Sequence, residues 1–266
     1  MLHPYKGWRQ DEHFGRIPYN SFEGDGTTYD FNSLGFRGEE FDAEAQVKVF
    51  VCGDSFTFGI GLELEESWTF LFKQRLAAHR DLAASSVNLL NFSEAGASND
   101  YIARTLIEQS SQVRPDLIVA GFTHLNRFEL LDETMTFRFN PPVLEKYASA
   151  GGKFAEMAKR MEFMFLGTDE IQEKVRAIKN MLLLQYFSQS RNIPFIFLFF
   201  WSRDLASSLS TPMTRPLYEE IDHDLVAPFI RRTTQVDRAG DGVHPVPRSQ
   251  ESIAAGAWRI FEERYS

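Results

Sequence analysis

Thiol chemistry is scarce in this chain of 266 residues: Cys52 is its one cysteine, so no disulfide can form within it. The residue lies in an apolar run, where a thiol is ordinarily buried and inert, and its isolation is compatible with a reducing compartment. Positive charge is short as well, with 28 Lys and Arg against 37 Asp and Glu and a formal net charge of −9. Gripping phosphates needs a basic face, so a nucleic-acid partner is not expected. Long hydrophobic runs are missing. The greasiest segment, IPFIFLFFW at 193–201, falls well short of the roughly 20 apolar residues that a membrane-spanning helix needs. The opening residues, MLHPYKGWRQDEHFG, lack the apolar core of a signal peptide, and a soluble, cytoplasmic protein is the expectation. Internal repeats, low-complexity tracts and Gly/Ser linkers are also lacking.

What is present suits a globular protein with a substantial core, at 43% hydrophobic and 24% charged residues. Four apolar runs recur: VKVFVC (47–52), VNLLNF (87–92), DLIVAGF (116–122) and the segment at 193–201. Their nearly continuous hydrophobicity predicts strands covered on both faces of a parallel sheet. Between them lie helical patterns. Trp68, Leu71, Phe72 and Leu76 share a face, as do Ile102, Ala103, Leu106 and Ile107 after an N-cap at Ser98 or Asn99. A long helix is expected from Thr168 to about Arg191, with Asp169 and Glu170 in its first turn, and a last one from Ser249 to about Tyr265. Alternating strands and helices predict a three-layer α/β/α sandwich with a mostly parallel sheet. We read one domain at 46–266, preceded by an irregular N-terminal extension (1–45) and interrupted by an insertion at about 127–167.

Open α/β sheets bind ligands beyond the carboxyl ends of their strands. Gly53-Asp54-Ser55 follows the first strand, SEAGASND with Gly96 the second, and THLNR with Thr123, His124 and Asn126 the third; DGVHP, with Asp241 and His244, precedes the last helix. This set fits acyl transfer. A serine hydroxyl needs a base to take its proton, and His244, oriented by Asp241, has that capacity for Ser55. The tetrahedral intermediate needs donors aimed at its oxyanion: the Ser55 and Gly96 backbone N–H groups and a side chain from 123–126. Glycine at 96 lets the backbone approach a ligand closely. The G-x-S-x-G pattern of the nucleophile elbow is missing around Ser55, which disfavours the α/β-hydrolase reading.

FVCGDSFTFG resembles the first block of the SGNH (GDSL-type) hydrolase family, NFSEAGAS its second and DGVHP its last; FNSLGFRGEEF (31–41) resembles a segment that often precedes the serine block in bacterial members. The resemblance spans roughly residues 47–265. It implies a flavodoxin-like sandwich of strand order 2-1-3-4-5, with esterase, lipase or carbohydrate-deacetylase activity and no metal or organic cofactor. The expected substrate is a small acyl ester of a carbohydrate or similar polar alcohol, cleaved through Ser55, His244 and Asp241. An acyltransferase using the same site, or a degenerate glycan-binding or structural module, are the alternatives. The third block departs from the family's G-x-N-D, reading GFTHLNR. Matching on Gly121 puts Thr123 at the Asn position, and counting from Asp116 puts the donor near Leu125-Asn126. An amide donor favours Asn126, with Thr123 next and His124 still open. Losing such a donor costs about 2.7–4 kcal/mol of transition-state stabilisation.

Simpler readings accompany several of these residues. Gly-Asp-Ser and Asp-Gly are common turn sequences. Asp222-His223-Asp224 lacks a second ligand pair and reads as a solvated loop. Arg37, Arg127 and Arg138 read as surface or ion-pairing residues before they read as binders of a carboxylate or sugar acid. Phe137, Phe139, Phe154, Phe163 and Phe165 read as packing for the insertion before they read as an acyl pocket.

Overall fold

Residues 2, 15–18, 28–131, 136–139, 148–149, 152–166, 169–200, 204–228, 244 and 247–266 are described by the structure, a computed structural model. The chain first forms an antiparallel pair, β1 (Gly15–Pro18) with β2 (Thr28–Phe31), within the stretch that reads as irregular. The apolar runs then supply β3 (Val47–Cys52), β4 (Val87–Asn91) and β5 (Leu117–Phe122). Between them lie α1 (Ser55–Phe58), α2 (Trp68–His79) and α3 (Asn99–Gln112). The insertion holds a second antiparallel pair, β6 (Phe128–Leu131) with β7 (Thr136–Phe139), followed by α4 (Gly152–Leu166). After it come α5 (Glu170–Ser190), β8 (Phe195–Phe199), α6 (Leu205–Leu209), α7 (Arg215–Tyr218), β9 (Val226–Pro228) and α8 (Pro247–Tyr265).

The central sheet has the order β4-β3-β5-β8-β9 with every pairing parallel, which is the flavodoxin-like order 2-1-3-4-5. Its fifth strand, β9, is an edge strand of three residues within the short apolar stretch LVAPFI (225–230), which Pro228 interrupts. Helices α2 and α8 cover one face, and α3, with α5 packed on it, covers the other. That sandwich explains the uniform apolarity of the strands. Val49, Phe50, Val51 and Cys52 are fully buried, as are Ile118, Val119 and Ala120 beside them. Burial raises the Cys52 thiol pKa well above its ordinary value, in keeping with an inert residue.

Local chemistry sets the helix starts. The Ser98 hydroxyl accepts the Tyr101 N–H at 3.2 Å, so Ser98 caps α3, and Asn99 is left for another task. Asp169 caps α5 by accepting the Gln172 N–H at 2.9 Å, and Glu170 and Glu173 follow in its first turn. Asp222-His223-Asp224 leads into a short 3₁₀ turn before β9, where Arg264 pairs with Asp224. Among the described residues no group of three His, Cys, Asp or Glu is placed to hold a metal, and no helix is long and apolar enough to cross a membrane.

Candidate active site

Strand β3, second in the sheet, delivers its chain end to the carboxyl rim between the ends of β4 and β5. Gly53 follows at once, and no other residue fits there. A Cβ on Gly53 would lie 2.1 Å from the Thr57 Oγ1 and 3.2 Å from the Gly121 carbonyl oxygen. Gly121, on β5, is constrained from the other side, its Cβ position lying 2.6 Å from Phe200 and 2.7 Å from the Thr57 Oγ1. Two glycines thus make room for Thr57, and through it for a helical turn directly above the strand ends.

That turn is α1, and Ser55 is its first residue. Asp54 caps it: Oδ1 accepts the Phe56 N–H at 3.0 Å. Gly59 ends it in the left-handed conformation, at φ 81°, that glycine adopts without strain. Ser55 is 6% exposed. Among the described residues its Oγ and its N–H make no hydrogen bond. The Gly96 N–H is also without a hydrogen bond among the described residues, in a loop in which Glu94 donates its N–H to the Gly53 carbonyl at 3.1 Å. Gly96 has φ 77°, a positive value that suits glycine.

His244 is buried and packs edge-on against Phe56, the neighbour of Ser55, with ring centroids 6.1 Å apart. Phe56 in turn meets Phe200 at 5.8 Å. The first turn of α8 fixes this arrangement. Gln250 accepts the Trp68 N–H at 2.9 Å and donates to the Phe56 carbonyl at 3.3 Å, tying α8 to both α1 and α2. Asp241 lies outside the described residues.

The divergent third block is clarified by β5, which ends at Phe122 so that Thr123 is the first residue beyond it. The Thr123 hydroxyl donates to Asp54 Oδ2 at 2.6 Å, and Arg127 Nη1 donates to the same carboxylate oxygen and to the Thr123 Oγ1, both at 2.9 Å. Arg127 Nη1 also reaches the Ala97 carbonyl at 3.3 Å. Asn99 binds the Thr123 backbone twice, accepting its N–H at 2.8 Å and donating to its carbonyl at 3.2 Å. Asn126 is half-buried, with no hydrogen bond among the described residues, and His124 is half-buried beside it.

Of the arginines, Arg127 is an ion-pairing residue, partnered by Asp54. Arg37 departs from expectation, being buried and, among the described residues, bonded to no carboxylate. It is 3% exposed, and its guanidinium donates to the carbonyls of Phe58, Gly59 and Leu62 at 2.6–2.7 Å. Tyr29 stacks under it at 4.2 Å and accepts the Gly61 N–H through its hydroxyl at 2.8 Å. Burial lowers the Arg37 pKa to about 10. The segment preceding the serine block therefore has a physical task, which is to hold the carboxyl end of α1. The side chains of Arg138, Phe137, Phe139, Phe154, Phe163 and Phe165 lie outside the described residues.

No protein-family profile and no curated protein matches the sequence. Among solved structures, the chain is similar to the psychrotrophic esterase EstA from Pseudoalteromonas sp., at 15% identity and a TM-score of 0.48, covering 81% of this chain and 97% of that one. It is similar to TesA at 14% identity and a TM-score of 0.47, with coverage of 81% and 98%. A family 3 carbohydrate esterase from Clostridium thermocellum matches at 12% identity and 0.44, with coverage of 82% and 96%. These likenesses are of general outline, and the sheet order itself carries the fold.

Proposed function

We propose that this chain is a serine esterase of the SGNH type. Ser55 attacks the ester carbonyl, and His244 takes the hydroxyl proton and passes it to the leaving alcohol. Asp241 holds the imidazole in the tautomer this requires. The Ser55 and Gly96 N–H groups supply two oxyanion donors. The Thr123 hydroxyl donates its hydrogen bond to Asp54, so the third oxyanion donor falls to the Asn126 amide. One observation carries the reading: Ser55 opens a helical turn at the carboxyl end of β3, its Oγ and N–H uncommitted among the described residues, with the His244 ring packed against its neighbour. The substrate class follows from the motif resemblance and is a small acyl ester of a carbohydrate or similar polar alcohol.

The experiment is turnover of acetyl esters of nitrophenol and of acetylated sugars by purified protein and by Ser55→Ala. Loss of a nucleophile lowers turnover by about 10⁴-fold or more. Activity retained in Ser55→Ala removes the proposal, and acyl transfer to an added sugar in preference to water converts it to an acyltransferase. A second reading, a glycan-binding module on a degenerate site, is favoured by the engagement of Thr123 with Asp54. That reading predicts sugar binding with no ester turnover.

A further inference from the structure

We infer that Arg127 is the positioning residue that assembles the oxyanion hole, joining through one nitrogen the three strand-end loops that frame it. The inference rests on the esterase reading above. Nη1 reaches Asp54 from the loop after β3, the Ala97 carbonyl from the loop after β4, and the Thr123 hydroxyl from the loop after β5. Each of these atoms stands close in sequence to an oxyanion donor. Asp54 precedes Ser55, Ala97 follows Gly96, and Thr123 lies three residues before Asn126. Direct links reinforce the clamp: Glu94 N–H to the Gly53 carbonyl joins the first two loops, and the paired Asn99–Thr123 bonds join the last two.

Burial gives the clamp its stiffness. The Asp54 and Arg127 side chains are 3% and 14% exposed, so water competes little for their bonds. Asp54 uses both oxygens at once: Oδ1 holds the Phe56 N–H and fixes the start of α1, while Oδ2 takes Thr123 and Arg127. The direction of the Ser55 N–H is thereby set by groups in the loop after β5. Arg127 also places a positive charge against the carboxylate next to Ser55, where an unpaired anion would oppose the oxyanion that develops during attack. Thr123 stands where an oxyanion-donating Asn is expected, and it spends its proton on this network instead.

The test compares Arg127→Met, Arg127→Lys, Thr123→Val and Thr123→Ser with the parent protein, using nitrophenyl acetate turnover and amide hydrogen exchange. A misplacement of about 1 Å at a catalytic centre costs on the order of 10²-fold. Arg127→Met is expected to lower kcat by about that factor, with KM within threefold. Its exchange should accelerate in all three loops, 53–58, 93–98 and 123–127. Thr123→Val is expected to lower kcat by about tenfold and Thr123→Ser to restore most of it. Arg127→Met combined with Thr123→Val should be no worse than Arg127→Met alone, since both act through Asp54. Where Arg127→Met does not fold, Asp54→Asn with Arg127→Met removes both charges while keeping a capping oxygen, and the same drop in kcat is expected. A folded Arg127→Met with parental kcat and loop exchange overturns the inference. So does a change confined to KM, which makes Arg127 a substrate-binding group. If the parent turns over no ester, or Ser55→Ala is as active as the parent, the esterase reading fails, and loop exchange alone then decides whether the clamp exists.

Discussion

Two arginines, Arg37 buried and Arg127 partly buried, bracket the four residues of α1, and they hold it by different physics. Arg127 works at the amino end through a carboxylate, in an ion pair shared with a hydroxyl and a carbonyl. Arg37 works at the carboxyl end through backbone carbonyls, its hydrogen-bond partners among the described residues, supported by the faces of Tyr29 and Phe58 at 4.2 and 5.5 Å. A helix presents its carbonyls, the negative end of its dipole, at the carboxyl terminus, so a cation there needs no carboxylate. The cost is visible in the depressed pKa of Arg37, which burial desolvates without a bonded anion in return. A single turn too short to be stable alone is thus pinned from both ends, and the front clamp also reaches the loops that carry Gly96 and Asn126. The front serves geometry at Ser55, and the rear serves the existence of the turn.

Separating those roles is a matter of substitution, beginning with the largest effect. Arg127→Met leaves the Asp54 carboxylate buried and unpaired, which costs about 3–5 kcal/mol, and should also depress kcat in the molecules that remain folded. Thermal unfolding and turnover on the same sample check both. Arg37→Met removes the guanidinium donors to the Phe58, Gly59 and Leu62 carbonyls. It should cost about 2–4 kcal/mol, because each buried group left unmade carries a penalty, while kcat per folded molecule stays within about threefold. If kcat falls as far as in Arg127→Met, the two ends are not distinct.

Smaller effects probe the floor under the turn. Gly53→Ala drives a methyl into the Thr57 Oγ1 at 2.1 Å and should cost about 1–3 kcal/mol, the usual range for overpacking. Thr57→Ala in the same chain should recover about 1 kcal/mol of it, a coupling that denaturant titration of the double-mutant cycle measures. Independent costs that simply add would show that Thr57 is not what excludes a side chain at 53. The smallest change is expected from Thr57→Val. The Thr57 hydroxyl is buried with no hydrogen-bond partner among the described residues, so its removal at constant shape should be neutral or stabilising by up to about 1 kcal/mol.

The sheet's four long strands were legible because both faces of each are covered, and continuous apolarity is the sequence trace of that burial. β9 left a weaker trace, the stretch LVAPFI (225–230) broken by Pro228: it is three residues long and pairs with β8 at the sheet's edge. α1 left none, its four residues being too few for a helical period. At the site, Ser55, Gly96 and His244 were legible as residue types at strand ends, and the structure sets each of them on or against the carboxyl rim around α1. Asn99 was legible only as a capping candidate, and it bonds Thr123 instead. The role of Arg127 was hidden because it depends on where β5 stops. With Phe122 as the last strand residue, Thr123 meets Asp54 and Arg127 falls one helical turn's spacing beyond it, a register that spacing to Gly121 or Asp116 leaves open.

The central claim is that Ser55 is an activated nucleophile facing an assembled oxyanion hole. A fluorophosphonate probe tests it most directly, because the probe needs both an ionisable serine and donors for the phosphoryl oxygen. Incubation of the purified protein at neutral pH, followed by intact-mass and peptide analysis, should show one adduct per chain, located on Ser55 and lost in both Ser55→Ala and His244→Ala. No adduct on the folded protein, or an adduct that survives Ser55→Ala, would contradict the account.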